Sequence, residues 1–280
     1  MFFLKAESCQ KIYKFMIVSL PQIDPSAFSL GPLVVRWYSL AYIAGILSAL
    51  FCLKKINQRE KFLTQEAYDN WIVWAVLSIL LGGRIGYVLF YNLPYFLSHP
   101  FEIIAFWHGG MSFHGGLCGV IFGMWFFARK YQIRFLQLMD VLALATPVGL
   151  FFGRLANFMN MELYGRITDS NFGVIFPNAG DLPRHPSQLY EAFLEGIILF
   201  AILFLIVRFT KISKSHGVIS GIFLTLYGIF RFLIENFREP DEQIGFLFAK
   251  ITTGQILSLP LILIGTFLIL LHAKKKKFLA

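Results

Sequence analysis

Several stretches of this chain are apolar over lengths that approach or exceed the roughly 18 residues needed to cross a bilayer. That feature constrains the fold more than any motif. Hydrophobic residues make up 57% of the 280 positions and charged residues only 15%, where a soluble domain is about a quarter charged. The sequence therefore predicts an all-α fold: a polytopic membrane protein with seven transmembrane helices, near residues 37–53, 70–91, 112–128, 137–160, 187–209, 217–234 and 253–272. Glycines and polar residues inside several of these runs allow tilted or broken helices.

The net charge of +9 reads as membrane topology and not as a nucleic-acid footprint, because the basic residues cluster between apolar runs. Lys54, Lys55, Arg59 and Lys61 follow the first span, and Arg129, Lys130 and Arg134 the third. Arg208, Lys211 and Lys214 follow the fifth, and Lys274 to Lys277 the seventh. The connection after the second span has no Lys or Arg. The positive-inside rule then predicts a cytoplasmic C-terminus and an N-terminus outside. Lys5, Lys11 and Lys14 run against this, and Met16 is an alternative start. Residues 1–16 are accordingly expected to be an N-terminal tail, 17–273 a single membrane domain and 274–280 a basic cytoplasmic tail. The N-terminus has no continuous apolar core of the signal-peptide kind.

Cys9, Cys52 and Cys118 lack metal-ligand spacing. No metal site and no disulfide framework are expected, and Cys52 and Cys118 are expected to be buried.

The predicted orientation serves as a ruler for the polar residues inside the spans. Arg154 lies 17 residues into the fourth span, about 25 Å along a helix, and Arg84 about 21 Å into the second. Both depths fall in the outer half of the bilayer. Tyr227, Arg231 and Glu235 share one face of the sixth span at i, i+4 and i+8. His114 stands at the outer start of the third span, Arg36 and Tyr38 open the first, and Gln188, Tyr190 and Glu191 open the fifth. Six spans thus bring polar groups to one leaflet. A lone intramembrane arginine can snorkel or pair with a carboxylate, and Arg231–Glu235 reads equally as a structural pair. Arg84, Arg154 and Arg231 together imply an interior cavity. Cations outnumber the evident deep carboxylates, so an anionic ligand is expected, and guanidinium binds phosphate bidentately. The glycines of "HGGMSFHGGLCG", around His108 and His114, read as a re-entrant or tightly packed segment. Asp140, at the other end of the fourth span, reads as structural.

The stretch "GRLANFMNMELYGR" (153–166) resembles the signature of the prolipoprotein diacylglyceryl transferase family, Gly-Arg-x-x-Asn-Phe-x-Asn-x-Glu-x-x-Gly, at every fixed position. The resemblance extends through "RWYSLAY", "GGRIGYVLFYN", "GGMSFHGGL", "HPSQLYEA", "RFLIENFREPD" and "TTGQILSLP". It covers about residues 17 to 272. Ala156 departs from the Gly usual in the family. The resemblance implies a seven-helix inner-membrane bundle whose site faces the periplasmic leaflet. It implies transfer of diacylglyceryl from phosphatidylglycerol to the lipobox cysteine thiol of a prolipoprotein, with loss of glycerol 1-phosphate and no cofactor.

On that reading His114 is the candidate base, with an ordinary pKa near 6.5. Arg154 and Arg231 bind and stabilise the departing phosphate. Asn157, Tyr227, Arg84 and Tyr38 complete the lipid-binding set, Tyr38 mostly on the resemblance. Glu162, Gly165, Glu235 and Arg238 are expected in support, with Glu162 and Glu235 orienting the arginines. A transporter or binder of an anionic lipid or solute is the alternative.

Overall fold

The computed structural model describes residues 18–21, 23–31, 33–105, 109–210, 215–240, 246–247 and 251–278. The tail 1–16, Cys9, His108, Lys211 and Lys214 lie outside them. A helix stands at every expected span. In chain order these are α1 (Trp37–Glu60), α2 (Gln65–Tyr91), the short α3 (Leu93–Ser98), α4 (Phe113–Lys130), α5 (Phe135–Met159), α6 (Ser187–Phe209), α7 (Val218–Ile234) and α8 (Thr253–Phe278).

Among the described residues five helices are long and apolar enough to cross a membrane, namely α1, α2, α5, α6 and the part of α8 from Thr253 to Leu271. α7 is apolar but shorter. Their outer faces carry exposed large side chains such as Leu47, Leu77, Leu205 and Leu263. A water-soluble protein does not show such broad apolar surfaces, whereas lipid solvates them. The chain is a polytopic helical membrane protein.

Local chemistry sets several helix ends. Thr64 caps α2 by accepting from the Ala67 amide at 3.2 Å. Ser112 caps α4 through the Gly115 amide at 3.2 Å. α8 begins with a reciprocal capping box: the Gln255 amide donates to Thr252 Oγ1 at 3.3 Å, and the Thr252 amide donates to Gln255 Oε1 at 3.1 Å. Pro147 and Pro260 lie inside α5 and α8, which membrane helices tolerate.

The chain divides into two compact units, residues 50–141 and residues 1–49 with 142–280. The first is built on α2 and α4. Their contact is made of backbone: a Cβ on Gly82 would fall 2.5 Å from the Gly115 carbonyl oxygen, and one on Gly86 2.6 Å from the Gly115 Cα. Small residues permit this approach, as in other membrane helix pairs. Cys118, expected to be buried, is exposed. It lines an apolar groove beside Trp74, Phe122 and His114, because the bare glycine backbones of α4 leave nothing tall enough to cover it. Cys52 is buried as expected.

In the second unit α7 packs on α8 by the same device, with a Gly221 Cβ falling 2.8 Å from the Gly265 carbonyl oxygen. Beyond the helices lie short strands. β1 (Val18–Ser19) runs parallel to β4 (Val174–Ile175), and β2 (Ser26–Leu30) pairs antiparallel with β3 (Leu33–Arg36). The connection after α5 folds around Met161, Val174 and Phe176, a small core of its own.

Candidate active site

α5 stops at Met159, and the chain reverses through Met161 and Leu163, both with left-handed backbone (φ 54° and 55°). The Glu162 amide donates to the Asn157 carbonyl at 3.1 Å, so the carboxylate turns back over the helix end. Tyr38, at the start of α1, donates its hydroxyl to Glu162 Oε1, and Asn157 Nδ2 donates to the Tyr38 oxygen. Asn157 and Asn160 also reach Glu162 Oε1, at 3.3 and 3.4 Å. Gln188 Nε2, from α6, fixes the turn through the Glu162 carbonyl at 2.7 Å. Glu162 was expected to orient an arginine. It instead gathers Tyr38 and two amides, because the helix ends before helical spacing can carry it to Arg154.

Gly165 follows this turn. Its amide donates to the His185 carbonyl at 2.8 Å, and a Cβ there would fall 2.5 Å from the Phe237 carbonyl oxygen and 2.6 Å from that of His185. Two other backbone segments converge on it, and only glycine fits. His185 packs edge-on to Phe237 at 5.2 Å, and partial burial there pulls its pKa below the usual histidine value.

One turn of α5 below Asn157 lies the charged centre. Glu191 of α6 holds three guanidinium groups: Arg154 Nε at 3.1 Å from Oε2, Arg231 Nη1 on Oε1, and Arg238 Nη1 at 3.7 Å from Oε1. Arg231 also pairs with Glu235 at 3.2 Å, and Arg154 with Glu195 at 3.5 Å. The Glu191 and Glu195 side chains are 0% exposed. Tyr227 lies within electrostatic reach of Glu195, Arg154, Arg231 and Glu191. The structure therefore brings Arg154, Arg231, Arg238, Glu235 and Tyr227 into one cluster, with Asn157, Glu162 and Tyr38 in the adjoining one.

The carboxylates at its centre were missed in the sequence reading. Glu191 was noted only as a polar opening of the fifth span, and Glu195 not at all. Their signal was two glutamates at i, i+4 in an apolar helix, which share a face and need a reason to be there. α6 widens to a π turn over Ala192–Ile198, around Glu195, a local irregularity that membrane and soluble helices alike concentrate at functional sites. Among the described residues of this cluster no surplus of cations stands: Arg154, Arg231 and Arg238 meet Glu191, Glu195 and Glu235, whereas Arg84 meets only carbonyls.

Glu235 rests on the first turn of α8. A Cβ on Gly254 would fall 2.5–2.6 Å from its carboxyl atoms. Gly254→Ala is expected to destabilise the protein by about 1–3 kcal/mol through overpacking, read as a lower thermal midpoint in detergent. In a Glu235→Ala background the same change should cost far less, since the clashing group is gone. Equal losses in both backgrounds would contradict this contact.

Two predicted site residues belong to the other unit. Arg84, 3% exposed, spends its guanidinium on main-chain carbonyls: Nε on Ile103 at 2.9 Å, Nη2 on Glu102 at 2.6 Å, and Nη1 on Gly109 and on Gly110 at 3.1 Å. The Phe96 ring lies 5.2 Å from its guanidinium carbon. It was expected to bind a headgroup. Its donors are turned to the connection that precedes α4, which it fixes. His114 is exposed on the first turn of α4, with its ring edge-on to Phe113 at 5.7 Å. Among the described residues no group of three His, Cys, Asp or Glu could hold a metal ion.

The family model described as prolipoprotein diacylglyceryl transferase matches residues 25–271. The chain belongs to the prolipoprotein diacylglyceryl transferase family. A curated relative from Rickettsia felis, named phosphatidylglycerol–prolipoprotein diacylglyceryl transferase, is 52% identical over 253 residues, which is 90% of this chain and 98% of the relative. A relative of the same name from Ehrlichia canis is 52% identical over 258 residues, 91% of this chain and 98% of its own. One from Rickettsia akari is 50% identical over 253 residues, with the same 90% and 98% coverage. In this member of the diacylglyceryl transferase family the signature's fixed residues 153–165 span both clusters, from Arg154 beside Glu191 to Gly165 beneath His185.

Proposed function

We propose that the chain transfers the diacylglyceryl group of phosphatidylglycerol to the lipobox cysteine thiol of prolipoproteins, forming a thioether and releasing glycerol 1-phosphate. Family membership over nearly the whole chain supports the reaction. The observation that carries the site is the buried arginine cluster around Glu191. The protein would sit in the bacterial inner membrane, with its N-terminus outside, its C-terminus in the cytoplasm and the cluster toward the periplasmic leaflet. Loop charge supports that orientation.

The thiol must lose its proton, and a free thiol has a pKa near 8.5. His114 is the proposed acceptor. The thiolate then attacks the glyceryl carbon that bears the phosphate. A carbon–sulfur bond forms, the carbon–oxygen bond breaks, and the electron pair leaves on the phosphate oxygen. Arg154 and Arg231 would hold that phosphate. Each guanidinium has five N–H donors in a fixed fork, and the ion pairs with Glu191, Glu195 and Glu235 occupy only part of each fork. The carboxylates aim the forks, so that little reorganisation is left for the reaction itself. Tyr227, Asn157 and Tyr38 are proposed to donate to phosphate or glycerol oxygens.

Purified protein, phosphatidylglycerol vesicles and a lipobox peptide test the function. A mass gain of one diacylglyceryl group on cysteine is expected; an unmodified peptide would reject it. His114→Gln is expected to slow turnover at neutral pH by about 100-fold or more, the usual contribution of a positioned base. Near-full turnover in that variant would remove His114 from the role.

A further inference from the structure

Among the described residues, the charged side chains of the arginine cluster balance before any lipid arrives. Arg154, Arg231 and Arg238 face Glu191, Glu195 and Glu235. Arg184 holds Glu239 at 2.8 Å, and Arg166 donates to the Arg238 and Glu235 carbonyls at 2.9 and 3.3 Å. A phosphodiester headgroup adds one negative charge to a neutral, largely buried set. An uncompensated buried charge is strongly unfavourable. Either the site expels an anionic side chain, which burial within α6 prevents for Glu191 and Glu195, or it gains a proton.

The five carboxylates differ in how firmly their charge is held. Glu191 is gripped by three arginines, and Glu162 accepts from Tyr38 and two amides. Glu235 likewise has one ion pair and one buried oxygen without a hydrogen bond among the described residues, but its cation is Arg231 and not Arg154, and Glu239 is partly exposed to solvent beside Arg184. Glu195 has a single ion pair, to Arg154 at 3.5 Å through Oε2. Its Oε1 is buried and has no hydrogen-bond partner among the described residues. The charged and titratable groups around it are Glu191 on its own helix, Arg154 on α5, and Arg231 and Tyr227 on α7. Arg154 is the residue proposed to take the phosphate, so the incoming anion competes for the one cation that Glu195 holds.

We propose that Glu195 takes up a proton when an anionic phosphodiester lipid binds, so that Arg154 is handed from Glu195 to the phosphate and the buried cluster stays neutral. This rests on the proposed role of Arg154 in binding phosphatidylglycerol. The step is one proton from solvent to the Glu195 carboxylate per lipid bound, with no covalent change. The sign follows from linkage: a ligand that brings a proton with it binds more tightly as pH falls. As pH rises above the range in which free Glu195 holds its proton, affinity drops by up to about tenfold per pH unit.

Calorimetric titration of the detergent-solubilised full chain with short-chain phosphatidylglycerol tests this. Titrations run in buffers of different ionisation enthalpy count the protons taken up. Uptake approaching one proton per lipid is expected on the alkaline side of neutrality, with Kd rising as pH is raised. Glu195→Gln, whose side chain is already neutral, is expected to bind with no proton uptake and a flat Kd. Zwitterionic phosphatidylcholine, which adds no net charge, is expected to draw no proton in either protein. Lipid binding by the wild type without proton uptake and with a flat Kd would overturn the proposal, with no need for the variant to fold. Uptake that persists in Glu195→Gln would overturn the assignment to Glu195. In both cases the wild-type protein would still lipidate the peptide. A protein that neither binds nor transfers phosphatidylglycerol would instead overturn the functional reading beneath it.

Discussion

Arg154→Lys is expected to reduce kcat/KM for thiol lipidation by about 100-fold or more, the scale seen when one preorganised donor to a developing oxyanion is removed. The substitution keeps the positive charge. What it loses is the fork. In the wild type Nε lies 3.1 Å from Glu191 Oε2 while Nη2 donates to Glu195 Oε2 at 3.5 Å, so the guanidinium is held against two carboxylates of α6. A lysine ammonium is a compact point charge on a flexible stem. It can satisfy Glu191 or approach a phosphate, but it cannot present two parallel donors to a phosphate from a plane held elsewhere. The measurement is initial rate against phosphatidylglycerol concentration with a lipobox peptide. Wild-type kinetics in this variant would reject bidentate phosphate binding at Arg154.

Glu191→Leu is expected to be the most damaging single change in the molecule. It leaves Arg154, Arg231 and Arg238 facing one another in a buried site with their shared carboxylate gone. Removing one partner of a buried ion pair costs about 3–5 kcal/mol, and here three cations lose it together. The thermal midpoint in detergent should fall sharply and lipidation should vanish. Glu191→Gln keeps the shape and one carbonyl acceptor, so it should recover part of the stability while remaining severely impaired in turnover. A Glu191→Leu protein with the wild-type midpoint would show that the arginines are held by something other than this carboxylate.

The helices were legible because each is announced by local composition. α1, α2, α5, α6 and α8 are long apolar segments, and no distant contact is needed to predict them. The chain after α5 is the opposite case. Met161 and Leu163 adopt left-handed backbone that their side chains disfavour. They do so because Gln188, Ser187 and Asn178 bond to carbonyls of the turn from 17 to 26 residues away. No local pattern contains that information. Glu162 was expected beside an arginine for want of this information: the turn that carries it to Tyr38, Asn157 and Asn160 is set by those distant bonds. Arg84 failed differently. Its depth was read correctly as inside a span, but its partners are carbonyls 18 to 26 residues further on, and carbonyls leave no trace in a sequence. Glu195 was within reach of the same reasoning that found the arginines. Its signal, a second glutamate one turn after Glu191 in an apolar helix, is local.

The carbonyl clasp on Arg84 has a consequence for movement. Glu102, Ile103, Gly109 and Gly110 can lift away only if a guanidinium within a membrane helix loses every oxygen that solvates it. Lipid supplies no replacement for those oxygens. Opening there is therefore tied to rupture of α2's own environment and belongs to the slowest class of local fluctuation. A lipid and a signal peptide must still come and go on the timescale of turnover. Hydrogen exchange should find the Ser112 amide, which donates to the Gly83 carbonyl at 2.9 Å beside this clasp, among the slowest outside the helices, so that movement during turnover is expected elsewhere in the chain.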